Sequence, residues 1–206
     1  MKNGKNINML SKFIKRLFDL FLALSLFVPA MLVLFVGIVL VKIVSPESSP
    51  IFKQERVGYK NRHFTMYKLR SMTNDRDADG NLLPDEVRLK KWGKIVRKTN
   101  MDELFQIWNI LLGEMSFIGP RPILDFEFEP YKNNPRFCKR YKVLPGMFCT
   151  VDVINRAAYR EEQMEYDAQY VEQMSLGLDI KTFFGVIAPV LTGRGVYKDE
   201  HDKAKK

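Results

Sequence analysis

The stretch from Leu20 to Val41 contains no charged side chain, and it limits where the chain can reside. A helix of that length, at about 1.5 Å per residue, reaches roughly 33 Å and covers the hydrocarbon core of a bilayer. A signal peptide has a shorter apolar core followed by a small-residue cleavage site. Here the run passes into VKIVSPESSP without an A-x-A pattern, so the segment is expected to be retained as a membrane helix. Its topology is less direct. Lys2, Lys5, Lys12, Lys15 and Arg16 precede the run, and Lys42, Lys53, Arg56 and Lys60 follow it, so the positive-inside rule draws both flanks to the cytoplasmic face. Pro29, near the middle, favours a bend that would let the helix enter and leave on one side. A straight span is the alternative, since proline is tolerated in membrane helices.

The remaining composition narrows the chemistry. A chain of 206 residues that is 46% hydrophobic can build one ordinary core. Its 33 Lys+Arg against 24 Asp+Glu, a net charge of +9, point to an anionic partner such as a phosphorylated substrate, lipid headgroups or nucleic acid. Its basic and aromatic residues form no recognisable nucleic-acid motif, and no nucleic-acid partner is expected. Cys138 and Cys149 form no CxxC pair and have only His63 and His201 as further soft ligands. That pattern fits a reducing compartment and not structural zinc.

Along the chain, the linker SPESSP (Ser45 to Pro50) leads into IFKQERVG and HFTMYKLRSM, which read as short β-prone or irregular segments ending in basic residues. The polar loop that follows contains Asp75, Asp77, Asp79, Gly80 and Glu86 in the D-x-D-x-D-G-x5-E spacing of a calcium loop. The flanking helices are weakly apolar, Pro84 interrupts the loop and there is no partner hand, so a solvated acidic turn is the preferred reading. The basic segment VRLKKWGKIVRKTN predicts a helix interrupted near Gly93, with Lys90, Lys91 and Lys94 on a solvated surface. From Asn100 a helix is predicted with Leu104, Ile107, Trp108, Leu111 and Leu112 on one stripe and Gly113 near its end. MSFIGPRPIL reads as a loop stiffened by Pro120 and Pro122. Arg160 to Val171 and Asp179 to Leu191, apart from Pro189, read as helices, and the tail KDEHDKAKK as frayed.

Asp102 and Glu103, adjacent in TNMDELFQIW, have two readings. Asn100 as N-cap and Glu103 at N3 form a capping-box-like pair at a helix start that favours acids. The same turn lies among Lys68, Arg70, Arg97, Lys98 and Arg121, which suits metal-assisted phosphate chemistry. A carboxylate is repelled by a diphosphate unless an oxygen-loving cation such as Mg²⁺ bridges them and arginines take up the remaining charge. One acid can then attack while the other holds metal or accepts a proton. Arg121, between two prolines that fix φ, is held on a stiff turn suited to bidentate phosphate contact.

In order along the chain, RLFDL, FKQERVG, YKLRSM, DADGNLLPDE, VRKTNMDELFQIWNILLGEMSFIGPRP and YDAQYVEQMSLGLDIK resemble the motifs of the bacterial sugar transferases, the monotopic phosphoglycosyl transferases. The resemblance covers roughly residues 16–181. It implies transfer of a phosphosugar from a UDP-sugar to undecaprenyl phosphate, yielding undecaprenyl diphosphosugar and UMP. The route is ping-pong, through a phosphosugar-aspartyl intermediate on Asp102. Glu103 would assist with Mg²⁺, held by Asp102 and Glu103, or with the incoming lipid phosphate. Lys68, Arg97, Pro120, Arg121 and Pro122 match positions around the phosphates and nucleotide, and Arg70 is carried with them as a candidate. Two departures stand out. Val28-Pro29 replaces the family's Ser-Pro at the bend, and LPGMFCTVDVINRA replaces KPGITGLAQVNGR, leaving Asn155 and Arg156 as further candidates.

The resulting expectation is a predominantly helical α+β protein at the bacterial inner (cytoplasmic) membrane, with its catalytic domain on the cytoplasmic headgroups. A basic segment spans 1–16, a re-entrant membrane helix 17–44, the catalytic domain 45–195 and a flexible tail 196–206. The oligomeric state is left open. The competing classes are a membrane-anchored module that binds anionic lipid without catalysis, and a calcium-binding module.

Overall fold

The computed structural model describes residues 9–155 and 158–192. Helix α1 (Met9–Val44) takes up the whole uncharged run, starts before it and continues through Pro29. Its buried positions are Asp19, Ala23, Ala30, Leu34, Gly37 and Val41. Within that stripe a small residue recurs every seventh position, which lets neighbouring backbone approach closely. The other faces carry exposed Phe21, Leu24, Val28, Leu32, Phe35 and Ile43.

Helix α1 is part of the core. Ala23 and Ala30 join the largest hydrophobic cluster with Phe64, Ile110, Phe117 and Phe148, and Leu34 and Val41 join a second with Leu69 and Val96. Polar contacts fix its first half. Asp19 accepts the Phe117 N–H at 3.1 Å, Arg16 donates to the Leu111 carbonyl at 3.3 Å, and Lys15 pairs with buried Asp179 at 2.8 Å. Packing is therefore shared across the boundary at residue 44.

The two β-prone segments form an antiparallel hairpin, β1 (Ile51–Val57) and β2 (His63–Leu69), with Ile51 opposite Leu69. In the acidic loop the Asp77 carboxylate accepts N–H groups from Asp79 and Asn81 at 3.0 and 2.8 Å, and Asp75 pairs with Lys90 at 3.1 Å. Two of the calcium-pattern carboxylates are thus engaged within the protein. Among the described residues no three His, Cys, Asp or Glu side chains gather to hold a metal.

The helix expected to be interrupted at Gly93 is instead divided earlier, into α2 (Asp85–Arg88) and α3 (Lys91–Lys98). Gly93 lies inside α3, where an added Cβ would sit 1.9 Å from the Ser71 carbonyl oxygen. It is a close-packing position and not a break. The following helix is also shorter than predicted: α4 (Gln106–Leu112), ended by Gly113 at φ 84. Its buried residues are Gln106, Ile107, Asn109 and Ile110, while Trp108 and Leu112 are exposed. Buried Asn109 ties α4 to the hairpin, donating to the Thr65 carbonyl at 2.7 Å and accepting the Tyr67 N–H at 3.3 Å.

The segment read as a loop begins with a short strand, β3 (Ser116–Ile118), followed by α5 (Asp125–Phe128). Strand β4 (Gly146–Phe148) pairs with β3 in parallel, and α6 (Thr150–Ile154) and α7 (Arg160–Gln173) follow. Helix α8 (Leu176–Thr192) starts earlier than predicted and includes Pro189.

Candidate active site

Asn100 follows Thr99, the C-cap of α3, and is the N-cap residue of a 3₁₀ turn, while α4 begins only at Gln106. Asn100 adopts the left-handed conformation, φ 53 and ψ 21, with no side-chain cap, a geometry that asparagine tolerates better than most residues. The chain then makes a 3₁₀ turn, Met101–Glu103, in which the Asn100 carbonyl accepts the Glu103 N–H at 3.1 Å. The expected capping box is absent. Freed from capping, the Glu103 carboxylate meets Lys68 of β2 at 3.6 Å. Successive residues of a 3₁₀ turn project about 120° apart, so Asp102 and Glu103 face different surroundings.

Burial first, and the neighbouring Glu103 charge second, push the Asp102 carboxyl from 3.8 up to about 6, while Lys68 and Arg97 pull it down. At neutral pH such a group is ionised, yet it is a stronger base and nucleophile than an ordinary aspartate.

Beside the dyad lies a small cleft lined by Glu103, Arg56, Lys68, Gln106, Arg121 and Pro122. Its cationic wall comes from both strands of the hairpin and from the Pro-Arg-Pro turn. All three carbonyls of that turn are occupied: Gly146 N–H donates to Pro120 O at 2.9 Å, Arg140 Nη2 to Arg121 O, and Arg56 Nη1 to Pro122 O at 3.4 Å. Arg140 in turn pairs with Asp167 at 3.1 Å, both side chains almost wholly buried. Burial pushes Asp167 up to about 6 against the pull of Arg140. The Arg121 side chain remains 45% exposed, with Nη1 3.6 Å from Asp152. Asp152 is itself fixed by accepting the Cys149 N–H at 2.8 Å. The backbone of the turn is clamped while its guanidinium stays accessible.

The structure thus brings Glu103, Lys68, Arg121 and Pro122 together around one cleft, with Asp102 beside Glu103 and Pro120 in the clamped turn. Arg97 acts on Asp102 through its charge, while its guanidinium bonds Ser71 Oγ at 3.0 Å and the Met72 sulfur at 3.3 Å. Arg70 is directed elsewhere, to the Ser49 carbonyl and to Asn74 at 2.8 Å. Asn155 bonds Glu162 at 3.2 Å, and Arg156 lies outside the described residues. Pro29 lies within α1, away from the cleft lining. The sequence reading did not place Arg56, Gln106, Arg140 or Asp152 at the site. Arg56 carried the clearest signal, as a basic residue on a β-prone segment two positions from Gln54, but its inward contacts come from distant residues.

Residues 10–193 match the model of the family described as bacterial sugar transferase. The chain is 39% identical over 196 residues to the uncharacterized sugar transferase EpsL of Bacillus subtilis (strain 168), covering 94% of this chain and 95% of that one. It is 36% identical over 193 residues to the UDP-N-acetylgalactosamine-undecaprenyl-phosphate N-acetylgalactosaminephosphotransferase of Aeromonas hydrophila, covering 89% of this chain and 45% of that protein. The UDP-glucose:undecaprenyl-phosphate glucose-1-phosphate transferase of Klebsiella pneumoniae is 30% identical over 201 residues, covering 93% of this chain and 43% of its own length. The chain therefore spans nearly all of one relative and less than half of the other two. With the match extending from the start of α1 to the end of α8, around one acid dyad and its cationic cleft, the chain belongs to the bacterial sugar transferase family.

Proposed function

We propose that this chain transfers a sugar-1-phosphate from a UDP-sugar to undecaprenyl phosphate, forming undecaprenyl diphosphosugar and UMP. The observation that carries the proposal is Asp102, held at a raised pKa beside a cleft walled by Arg56, Lys68 and Arg121. An Asp102 oxygen attacks the phosphorus that carries the sugar. The bond from that phosphorus to the bridging oxygen of UMP breaks, and UMP leaves with the electron pair. An oxygen of the lipid phosphate then attacks the same phosphorus and releases the Asp102 carboxylate. Arg56 supports phosphate binding because its Nε is a buried donor without an acceptor among the described residues, which a phosphate oxygen would supply. Arg121 is accessible on its clamped turn and can meet the second phosphate. Lys68 holds Glu103 and lowers the repulsion that an entering diphosphate meets.

The dyad fits Mg²⁺, which commonly takes one or two carboxylates and completes its shell with substrate phosphates and water. Asp102 and Glu103 would offer it hard-oxygen donors that, although they project apart, lie close enough for the Glu103 charge to raise the Asp102 pKa. Bound there, Mg²⁺ would offset the charge between the carboxylates and the diphosphate.

The same reading places α1 as a re-entrant helix in the bacterial inner membrane, with the catalytic residues at the cytoplasmic headgroups. A helix passing straight through a bilayer would leave its central residues to lipid. Here Ala23, Ala30 and Leu34 pack into the protein's own clusters, and basic residues flank both ends of the run. Cysteines introduced near residues 5 and 60 should both label from the cytoplasmic side; opposite labelling would establish a straight span.

The chemical test uses purified chain with Mg²⁺ and UDP-sugars carrying a labelled β-phosphate. Without lipid phosphate the label should become covalently attached to protein with one UMP released per chain, and undecaprenyl phosphate should discharge it. Asp102→Asn should abolish both steps. Full turnover by that variant would exclude Asp102 as nucleophile.

A further inference from the structure

A second cavity, about 320 Å³, opens beside the first turns of α1. Its lining includes Lys12, Lys15, Arg16, Lys142, Val143 and Met174. Four cations therefore meet apolar side chains at the end of α1 where the exposed apolar face begins, with Phe13 and Leu17 both open to solvent.

The internal partners do not use up this charge. Lys15 is committed to Asp179. Arg16 spends Nη2 on the Leu111 carbonyl, but its Nη1 is buried and without an acceptor among the described residues. Lys12 makes one long contact, 3.4 Å, to the Lys142 carbonyl, and the Lys142 ammonium forms no ion pair among the described residues. Asp19, the one acid in the lining, is occupied by the Phe117 N–H. A buried guanidinium nitrogen without a partner, between two exposed ammonium groups, calls for an anionic acceptor.

We infer that this cavity binds the phosphate of one anionic membrane phospholipid, seated between Lys12, Arg16 and Lys142, with the first carbons of its chains against Val143 and Met174. The apolar side walls favour a lipid over free phosphate, and the neighbouring exposed face of α1 places the cavity at the lipid surface. The site is distinct from the cleft at the dyad. Val143 and Leu144 line this cavity, whereas Gly146 and Met147, a few residues on, line the other. The connecting segment also holds β3 and the Pro-Arg-Pro turn, since Pro145 O accepts Ser116 N–H and Gly146 N–H donates to Pro120 O, each at 2.9 Å. A lipid bound to Lys142 and Val143 would bear directly on the segment that carries that turn.

The inference rests on membrane association of α1 and not on the chemistry at Asp102. The full chain is placed in nanodiscs of phosphatidylcholine with a minor fraction of phosphatidylglycerol, and retained lipid is counted by native mass spectrometry. One phosphatidylglycerol per chain should be retained in preference to phosphatidylcholine. Lys12→Gln with Lys142→Gln, both exposed and so neutral for folding, should weaken that retention by roughly thirtyfold. Lys91→Gln with Lys94→Gln, an equal loss of charge on α3, should leave it unchanged. Filling the cavity with Met174→Trp should also expel the lipid. Equal loss in both charge pairs, or equal retention of the two lipids, would overturn the site. Displacement by undecaprenyl phosphate would assign it to the acceptor, displacement by inorganic phosphate to a free anion, and either would refute the proposal. If the membrane reading itself were wrong, the chain would fail to enter nanodiscs at all.

Discussion

Replacing the proposed nucleophile should make the protein more stable while abolishing its activity. Asp102 rises from 3.8 to about 6 in the folded chain. At about 1.36 kcal/mol per pKa unit, holding it ionised costs up to roughly 3 kcal/mol. Because the side chain is partly solvated, about 1–2 kcal/mol is the reasonable share after screening. The sign follows from linkage. Below 3.8 the carboxyl is protonated in both folded and unfolded chains, and the cost vanishes. As pH rises towards 6 the unfolded chain loses its proton first, so the wild type loses stability through that window and reaches a constant deficit above it. Asp102→Asn carries no such cost. At a few degrees per kcal/mol for a chain of this size, the variant should melt roughly 2–8 °C higher at pH 7.5, and the gain should shrink towards zero at pH 4. Thermal unfolding followed by the fluorescence of Trp92 and Trp108 in detergent, for both proteins across that range, measures it. A variant that melts lower at pH 7.5, or a gain that does not change with pH, would refute the assignment of a strained carboxylate.

Two further outcomes test the site and a third tests the acidic loop. Glu103→Gln removes the like charge and should lower the Asp102 pKa, moving the acidic limb of the single-turnover UMP burst to lower pH. Since burial is the larger cause, the limb should stay above the ordinary carboxylate range, and an unmoved limb would deny the coupling. Arg140→Leu leaves Asp167 buried without its partner and releases the Arg121 carbonyl. It should cost about 3–5 kcal/mol at neutral pH, less below pH 6 where Asp167 takes a proton, and raise the KM for UDP-sugar. Denaturant unfolding at two pH values and steady-state kinetics check both effects. Millimolar Ca²⁺ in place of Mg²⁺ should leave the melting temperature of wild type and Glu86→Gln alike, because Asp75 and Asp77 already have partners in the protein; a shift lost in Glu86→Gln would restore the calcium loop.

Local composition made α7 legible and the hairpin partly so: a segment rich in Glu, Gln, Met and Ala favours helix, while IFKQERVG and HFTMYKLRSM fitted strand or irregular chain until they paired. At the dyad the N-cap position was legible and its geometry was not: Asn100 takes the left-handed conformation without a side-chain cap, and Met101–Glu103 form a 3₁₀ turn ahead of α4. At Gly93 the missing Cβ looked like a helix weakness, whereas the space is filled by the Ser71 carbonyl. Strands β3 and β4 pair across nearly thirty residues with three residues each, too short to announce themselves. Of the site, the reactive acids and the Pro-Arg-Pro turn could be chosen from chemistry alone. Arg140 and Asp152 could not, because each acts by holding Arg121, and those contacts exist only once the 3₁₀ stretch Phe137–Lys142 and α6 have folded onto the turn.

On the proposed function, the packing of α1 would tie membrane placement to reactivity. At Gly37 an added Cβ would lie 2.5 Å from Leu69 and 3.5 Å from Met101, the residues next to Lys68 and Asp102. Helix α1 therefore supports both the strand that carries Lys68 and the turn that carries the proposed nucleophile. Gly37 lies four residues before Val41, about 6 Å along the helix from the end of the uncharged run, and Lys42 follows immediately. In the proposed re-entrant arrangement, that seat holds the dyad at the boundary where apolar chains give way to headgroups. On the proposed function, undecaprenyl phosphate, anchored by its own chain, would present its phosphate at the same level. The acceptor would then not need to be lifted out of the bilayer to reach Asp102, and the depth of the proposed reaction would be set by where α1 leaves the membrane.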